Sequence, residues 1–502
     1  MRGERLALGG LISLFGSAFA ALAALVLTSI VGNVLGSRGT GVFFQAVGIF
    51  TVLTQVLRLG TNSGIVRFIA AERAFDRVGS EWRIVLYAVV PVTVVSIGAS
   101  VALWFTAEPL AVWLSAPGEE PALEGLLRVM SPFVLCGALI GVLQIASRML
   151  RGVATFTVLQ SVLLPASRVM AVVVAALGVL TASTAFSAWL WPLPFWLVVT
   201  ALVIAPPFWR DLRRRGEFDR TASPTARAFW RFNLPRAVNS ALEAALEWAD
   251  VLIIAAVASP ADAGVYAVVT RVVRAGGIVD KAMRVAVAPT TSALLARDQL
   301  VESSRLHTRV VRAMILLNWP FFLLLISMGG SVLLIFGSEF VRGWGPMVLI
   351  AAATMMQTAA GMLQSILLQG GRSTWQMYNK SLAVGLSIGG NLALVPFLGV
   401  WGAAITWVLV MVVDNALAAH QVHRRMGVHL APRRLIVPSI LPVLVFGVGG
   451  AAFTFWGGIA IATLVLAVVI LGGVYAAVLW MLRRRLGLAG LWRRVPFIGR
   501  FA

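Results

Sequence analysis

The stretch from Ile461 to Leu482 contains no charged side chain, and comparable apolar runs recur along the whole chain. In hydrocarbon every backbone N–H and C=O must be satisfied within its own segment. A continuous run of about 20 apolar residues therefore points to a membrane-spanning α-helix. The runs show no period-two alternation, which excludes a transmembrane β-barrel. The fold class that follows is all-α and polytopic, embedded in the membrane. Charged residues make up 12% of the 502 residues against 59% hydrophobic, so each charge within a run can be weighed singly.

The runs predict about fourteen spans. They lie near 7–34, 40–60, 83–106, 123–148, 154–179, 184–208, 233–257, 263–287, 313–336, 345–369, 374–395, 400–421, 435–455 and 458–481. Ala18-Phe19-Ala20 could pass for a signal-peptide cleavage site, but the first run continues to about Val34 and reads as an uncleaved helix.

The connections alternate in charge. The third, "AEPLAVWLSAPGEEP", and the fifth, "LTAST", carry no basic residue, and neither does "ASPAD" after the seventh span. The second has Arg67, Arg73, Arg77 and Arg83. The sixth, "WRDLRRRGEFDRTASPTARAFWR", is the longest and most basic. Basic loops mark the cytoplasmic side, so the expectation is a multi-pass protein of the cytoplasmic membrane with both termini inside. This arrangement accounts for most of the net charge of +21 and removes the reason to expect nucleic-acid binding. The tail, 483–502, mixes arginines with Leu491, Trp492, Phe497 and Phe501, and reads either as an interfacial segment on anionic lipid or as a basic tail in solution.

Two internal matches recur at an offset of about 220 residues. Gly41-Val42-Phe43 aligns with Gly264-Val265-Tyr266, and that register sets Arg58 over Lys281. "RGVATFTVLQ" (151–160) aligns with "GGRSTWQMYN" (370–379). Both matches fall six spans apart, in the same direction through the membrane. They predict two parallel six-helix bundles with pseudo-twofold symmetry, plus two added helices. The boundaries are 1–209 for the first bundle, 210–231 for the linking basic loop and 232–425 for the second bundle. The two additional helices occupy 426–482, and the tail follows.

This organisation resembles the oligosaccharide flippases, the lipopolysaccharide and polysaccharide export branch of the multidrug/oligosaccharidyl-lipid/polysaccharide exporter superfamily. The segments that carry the likeness are "LGSRGTGVFFQAVGIFTVLTQVLRLGTNSGIVRFIA" and "LGVWGAAITW" (398–407). The resemblance implies a V-shaped two-lobed transporter, not an enzyme. It would move a polyprenyl-diphosphate-linked oligosaccharide from the inner to the outer leaflet. Its partners would be that substrate, membrane lipids and polysaccharide-assembly proteins.

A charge at mid-membrane costs about 2.5–3.5 kcal/mol on insertion scales, so each one faces protein or water. Glu243, Glu247 and Asp250 follow i, i+4, i+7 spacing and share one helix face. At about 1.5 Å per residue they lie roughly 21, 15 and 10 Å below the outer surface, and Arg271 and Arg274 on the next helix lie roughly 12 and 17 Å deep. The expectation is that acids and arginines meet. They are either struts between helices or, with the arginines receiving the lipid diphosphate through planar forks, a substrate site whose acids are placed to exchange protons. Arg168, near mid-depth behind Pro165, is a further cavity candidate. Arg58, Asp280, Lys281 and Arg284 either snorkel to the inner interface or line a basic vestibule. Asp414 with Asn415 is a candidate for cation coupling or for a hydrogen bond between helices.

No GxxxxGK[ST] segment offers a nucleotide site. Cys136 is a single thiol, and His420, His423 and His429 sit at a cytoplasmic helix end, so neither a metal nor another cofactor is expected. The alternative function is a cation-coupled multidrug exporter, which the acids of 243–250 would suit.

Overall fold

The computed structural model describes residues 2–75, 80–213, 224–361, 363–369, 372–427 and 433–482. The expectations for Arg77, most of the basic sixth loop, His429 and the tail lie outside the described residues.

Among the described residues the secondary structure is helical throughout. In chain order, α1 is Arg2–Leu57, α2 Thr61–Ala74, α3 Glu81–Phe105, α4 Ala107–Leu114, α5 Glu120–Arg151, α6 Val153–Thr157, α7 Leu164–Ala176, α8 Ala182–Leu190 and α9 Pro192–Arg213. They are followed by α10 Ala226–Val257, α11 Pro260–Ala275, α12 Ile278–Ala296, α13 Leu300–Leu334, α14 Trp344–Ala360, α15 Leu363–Gln369 and α16 Ser373–Leu398. The last are α17 Val400–Met426, α18 Arg433–Pro442, α19 Gly449–Gly457 and α20 Ile461–Leu482.

Ten helical stretches among the described residues are long and apolar enough to cross a membrane. The difference from fourteen has physical causes. The first two expected spans follow each other without a loop and so count as one stretch, α1, but Gly36, at φ 66° and ψ −172°, is not helical and divides it into two helices across a kink, a conformation open to glycine without strain. The expected span at 233–257 lies on α10, which carries several charges. Those at 263–287 and 345–369 are each broken into shorter helices, at Gly276-Gly277 between α11 and α12 and at Gly361 between α14 and α15. Two π-helical turns, Val158–Leu163 and Val443–Val448, lie beside Pro165 and Pro442, where the imino ring removes a backbone donor.

The chain divides into two compact units. The first comprises Met1–Arg271 and Ser387–Ala403, the second Val272–Leu386 and Ala404–Ala502. In the first, α3 and α9 pack along α5, and α10 packs along α1. Its centre is aromatic: Phe43, Phe44, Phe50, Phe186 and Trp189 are buried. Here the two repeat-related glycines meet. A Cβ on Gly41 would stand 2.9 Å from the Gly264 nitrogen, and a Cβ on Gly264 would stand 2.9 Å from the Gly41 nitrogen. The contact is reciprocal, as a local pseudo-twofold relation between the repeats requires.

In the second unit the last helices are pinned to α13. Ser327 Oγ donates to the Phe446 carbonyl at 3.0 Å, Thr454 Oγ1 to the Ser327 carbonyl at 2.8 Å, and Tyr475 OH to the Leu316 carbonyl at 2.7 Å. In hydrocarbon such bonds add specificity to contacts that apolar packing alone would leave free to slide.

Candidate translocation site

The candidate site charges of the first unit fall in three environments. The first is Asp250, on α10. Burial leaves only 5% of it accessible, a costly place for a carboxylate. Neutral donors from two other helices surround it. Tyr266 OH of α11 donates to Oδ2 at 2.9 Å, while Ser387 Oγ and Asn391 Nδ2 of α16 donate to Oδ1 at 3.1 and 2.7 Å. Hydrogen bonds to a charged acceptor contribute about 1.5–3 kcal/mol each, so three of them offset much of the desolvation. The sequence reading set Asp250 opposite Arg271 and Arg274 and did not find these three partners. Ser387 and Asn391 lie 137 and 141 residues away and carry no charge to mark them.

The second environment is aromatic. The Arg271 guanidinium lies 3.5 Å above the Phe44 ring and 5.3 Å from the Trp248 ring, with Nη1 donating to the Ala267 carbonyl at 3.0 Å. Arg168, on α7, lies 3.6 Å above the Trp189 ring of α8. Its Nε is buried without a hydrogen-bond partner, and among the described residues no carboxylate pairs with it. A desolvated cation–π contact contributes about 2 kcal/mol or more, comparable with the insertion cost of an arginine.

The third is a cavity of about 160 Å³ lined by Gln55, Arg58, Gly60, Asn62, Ser240 and Glu243. Arg58 and Glu243 thus share a polar space, although the sequence reading assigned them to separate groups. Arg58 Nε and Asn62 Oδ1 are buried and have no partner. Gly141 of α5 makes the room: a Cβ there would stand 2.1 Å from Arg58 Cζ. Glu243 accepts a hydrogen bond from Asn239 at 3.1 Å, and Glu247, one turn further on, is exposed.

In the second unit Arg274 and Lys281 are both exposed, Arg274 with its guanidinium 5.6 Å from the Trp407 ring. Asp280 is buried and accepts from Asn318 Nδ2, so it does not reach toward an interface. Asp414 is buried as well. Lys380 Nζ lies 3.2 Å from its Oδ2, and Gln364 Nε2 donates to Oδ1 at 2.9 Å. Asn415 donates instead to the Met411 carbonyl of its own helix.

Residues 7–295 match the family model described as polysaccharide biosynthesis protein. No curated protein sequence matches. Among solved structures, the chain is similar to the lipid II flippase MurJ in an inward closed conformation. The TM-score is 0.68 at 10% identity, with 93% of this chain and 99% of that chain covered. It is also similar to a multidrug resistance MATE family transporter of the MOP superfamily in an inward-facing conformation. There the TM-score is 0.65 at 16% identity, with 83% and 98% covered. A third is a MOP superfamily transporter from Pyrococcus furiosus, whose binding pocket is described as reversed in polarity, at TM-score 0.57 and 16% identity over 83% of this chain and 94% of that one. At these identities the likeness establishes a transporter fold.

Proposed function

Because the chain belongs to the polysaccharide biosynthesis protein family, we propose that it is a flippase of the cytoplasmic membrane. It moves a polyprenyl-diphosphate-linked oligosaccharide from the inner to the outer leaflet by alternating access, for assembly of a cell-surface polysaccharide. Residues 1–209 and 232–425 form its two lobes, and both termini face the cytoplasm. The observation that carries this reading is Arg168. A guanidinium within a membrane-embedded bundle, held by a π face and free of carboxylates, keeps its in-plane N–H groups for an anion from outside the protein.

Within the first unit Arg58, in its polar cavity, receives the diphosphate at the cytoplasmic side, and Arg168 and Arg271 receive it deeper; in the second unit Arg274 and Lys281 are further anion ligands. Asp250 is the coupling group. Tyr266, Ser387 and Asn391 donate to its oxygens, and a proton or small cation reaching them redistributes those hydrogen bonds between α10, α11 and α16. Glu243, Glu247 and Asp414 are further charges of the coupling path. An apolar groove of about 710 Å³ between Ala359–Ala360 and Leu435, Ile436, Ile440 and Leu444 suits a lipid chain that remains in the bilayer.

The test is reconstitution in liposomes with a short-chain polyprenyl diphosphate bearing a fluorescent sugar. The expected result is protein-dependent loss of the inner-leaflet pool to an impermeant quencher. Transport of cationic dyes without movement of this lipid would replace the reading with a multidrug exporter.

A further inference from the structure

Trp189 is an unusual support for a charge. It is 7% exposed, so its face is not a solvent platform. Its own position is fixed by two other rings: Phe50 meets it edge-on, with centroids 5.6 Å apart at 87°, and Phe186 stacks against it at 6.0 Å and 13°. Phe186 in turn meets Phe43 edge-on at 6.3 Å, and Phe43 meets Phe44 at 5.0 Å. Phe44 is the ring beneath Arg271. One buried aromatic cluster therefore carries a guanidinium over a ring at each end.

Stacking on a ring differs chemically from pairing with a carboxylate. A carboxylate takes two N–H groups of the fork and cancels the charge. A ring takes none, because all five N–H groups lie in the guanidinium plane and point past its edge. The ring stabilises the cation and fixes the plane, yet leaves the hydrogen-bonding edge available. For Arg168 this is the whole environment: no hydrogen bond or ion pair to its guanidinium occurs among the described residues. Arg271 differs, since its Nη1 is engaged by Ala267.

We infer that Trp189 is a positioning residue for anion binding: it orients the Arg168 fork to receive phosphate oxygens of a lipid diphosphate without neutralising it. The inference rests on the reading of Arg168 as a diphosphate ligand. It adds that the affinity of that arginine depends on the ring beneath it. Trp189 touches no substrate in this account and acts only through Arg168.

The test is a double-mutant cycle on the purified full-length protein in nanodiscs, with farnesyl diphosphate as the probe and farnesol as the uncharged control. Arg168→Ala should weaken farnesyl diphosphate binding at least about tenfold and leave farnesol unchanged. Trp189→Leu should weaken it by about tenfold, most of the worth of a desolvated cation–π contact. Trp189→Phe retains a π face and should stay within about threefold of wild type. In the Arg168→Ala background neither Trp189 change should weaken binding further. Losses that add would show that Trp189 acts independently of Arg168, which overturns the positioning role while leaving the diphosphate reading intact. Unchanged binding by Arg168→Ala would overturn both. Should Trp189→Leu fail to fold, the Trp189→Phe cycle carries the test, since its smaller loss must vanish when Arg168 is absent.

Discussion

Replacing Gly41 or Gly264 by alanine tests the helix crossing at the centre of the repeat. A Cβ on Gly41 would stand 1.7 Å from the Pro260 carbonyl oxygen, and one on Gly264 would stand 2.1 Å from that of Ser37. Favourable carbon contacts lie at about 3.5–4.0 Å, so the backbones must separate by roughly 1.5–2 Å. No rotamer change helps, because the atoms met are main chain. Overpacking of this kind costs about 1–3 kcal/mol, which moves a two-state equilibrium roughly 5- to 150-fold away from the closed crossing. In a Cys136→Ser background, a cysteine at buried Ser37 reports the opening through its reaction with an impermeant maleimide on intact cells. Gly264→Ala should raise that rate at least about fivefold or, where the crossing cannot open, lower thermal stability by a matching amount. A labelling rate and melting midpoint both equal to those of the parent would refute the reasoning.

Three further outcomes follow from the site. Asp250→Asn removes the charge at nearly constant shape, and transport should fall at least about tenfold while stability drops by no more than about 3 kcal/mol, as read by flipping and by thermal melting. Lys380→Met strands the buried Asp414 carboxylate and should destabilise the protein by about 1–3 kcal/mol; adding Asp414→Asn should recover most of that, as measured by melting of both variants in detergent. Gly141→Ala drives its Cβ into the Arg58 guanidinium, a flexible group that can move, so the fold should survive while farnesyl diphosphate binding at the vestibule weakens several-fold in the nanodisc assay.

Periodicity and apolar length carried the sequence reading far, because a membrane leaves a segment few alternatives to a helix. The helical class and the alignment of Gly41 with Gly264 were accessible from residue order. The breaks at Gly276-Gly277 and Gly361 were not, because both lie inside apolar runs that read as single spans, and neither was the kink at Gly36 that joins the first two spans without a loop. Asp250 stood out as a charge in an apolar run, but the tyrosine, serine and asparagine that donate to it are set by packing between α10, α11 and α16 and carry no charge to mark them. Arg168 stood out for the same reason. Its support is a tryptophan 21 positions later, beyond a turn, and nothing in a one-dimensional pattern separates that ring from the 16 other tryptophans.

In the proposed mechanism the Arg168 guanidinium, stacked on Trp189, receives a diphosphate. The most direct measurement compares flipping of two matched probes in proteoliposomes, the same sugar and short polyprenyl chain joined through a diphosphate or through an uncharged linker. The account predicts movement of the diphosphate probe alone, at least about tenfold above the neutral one, and loss of that preference in Arg168→Ala. Equal rates for the two probes, or a preference that survives Arg168→Ala, would contradict it.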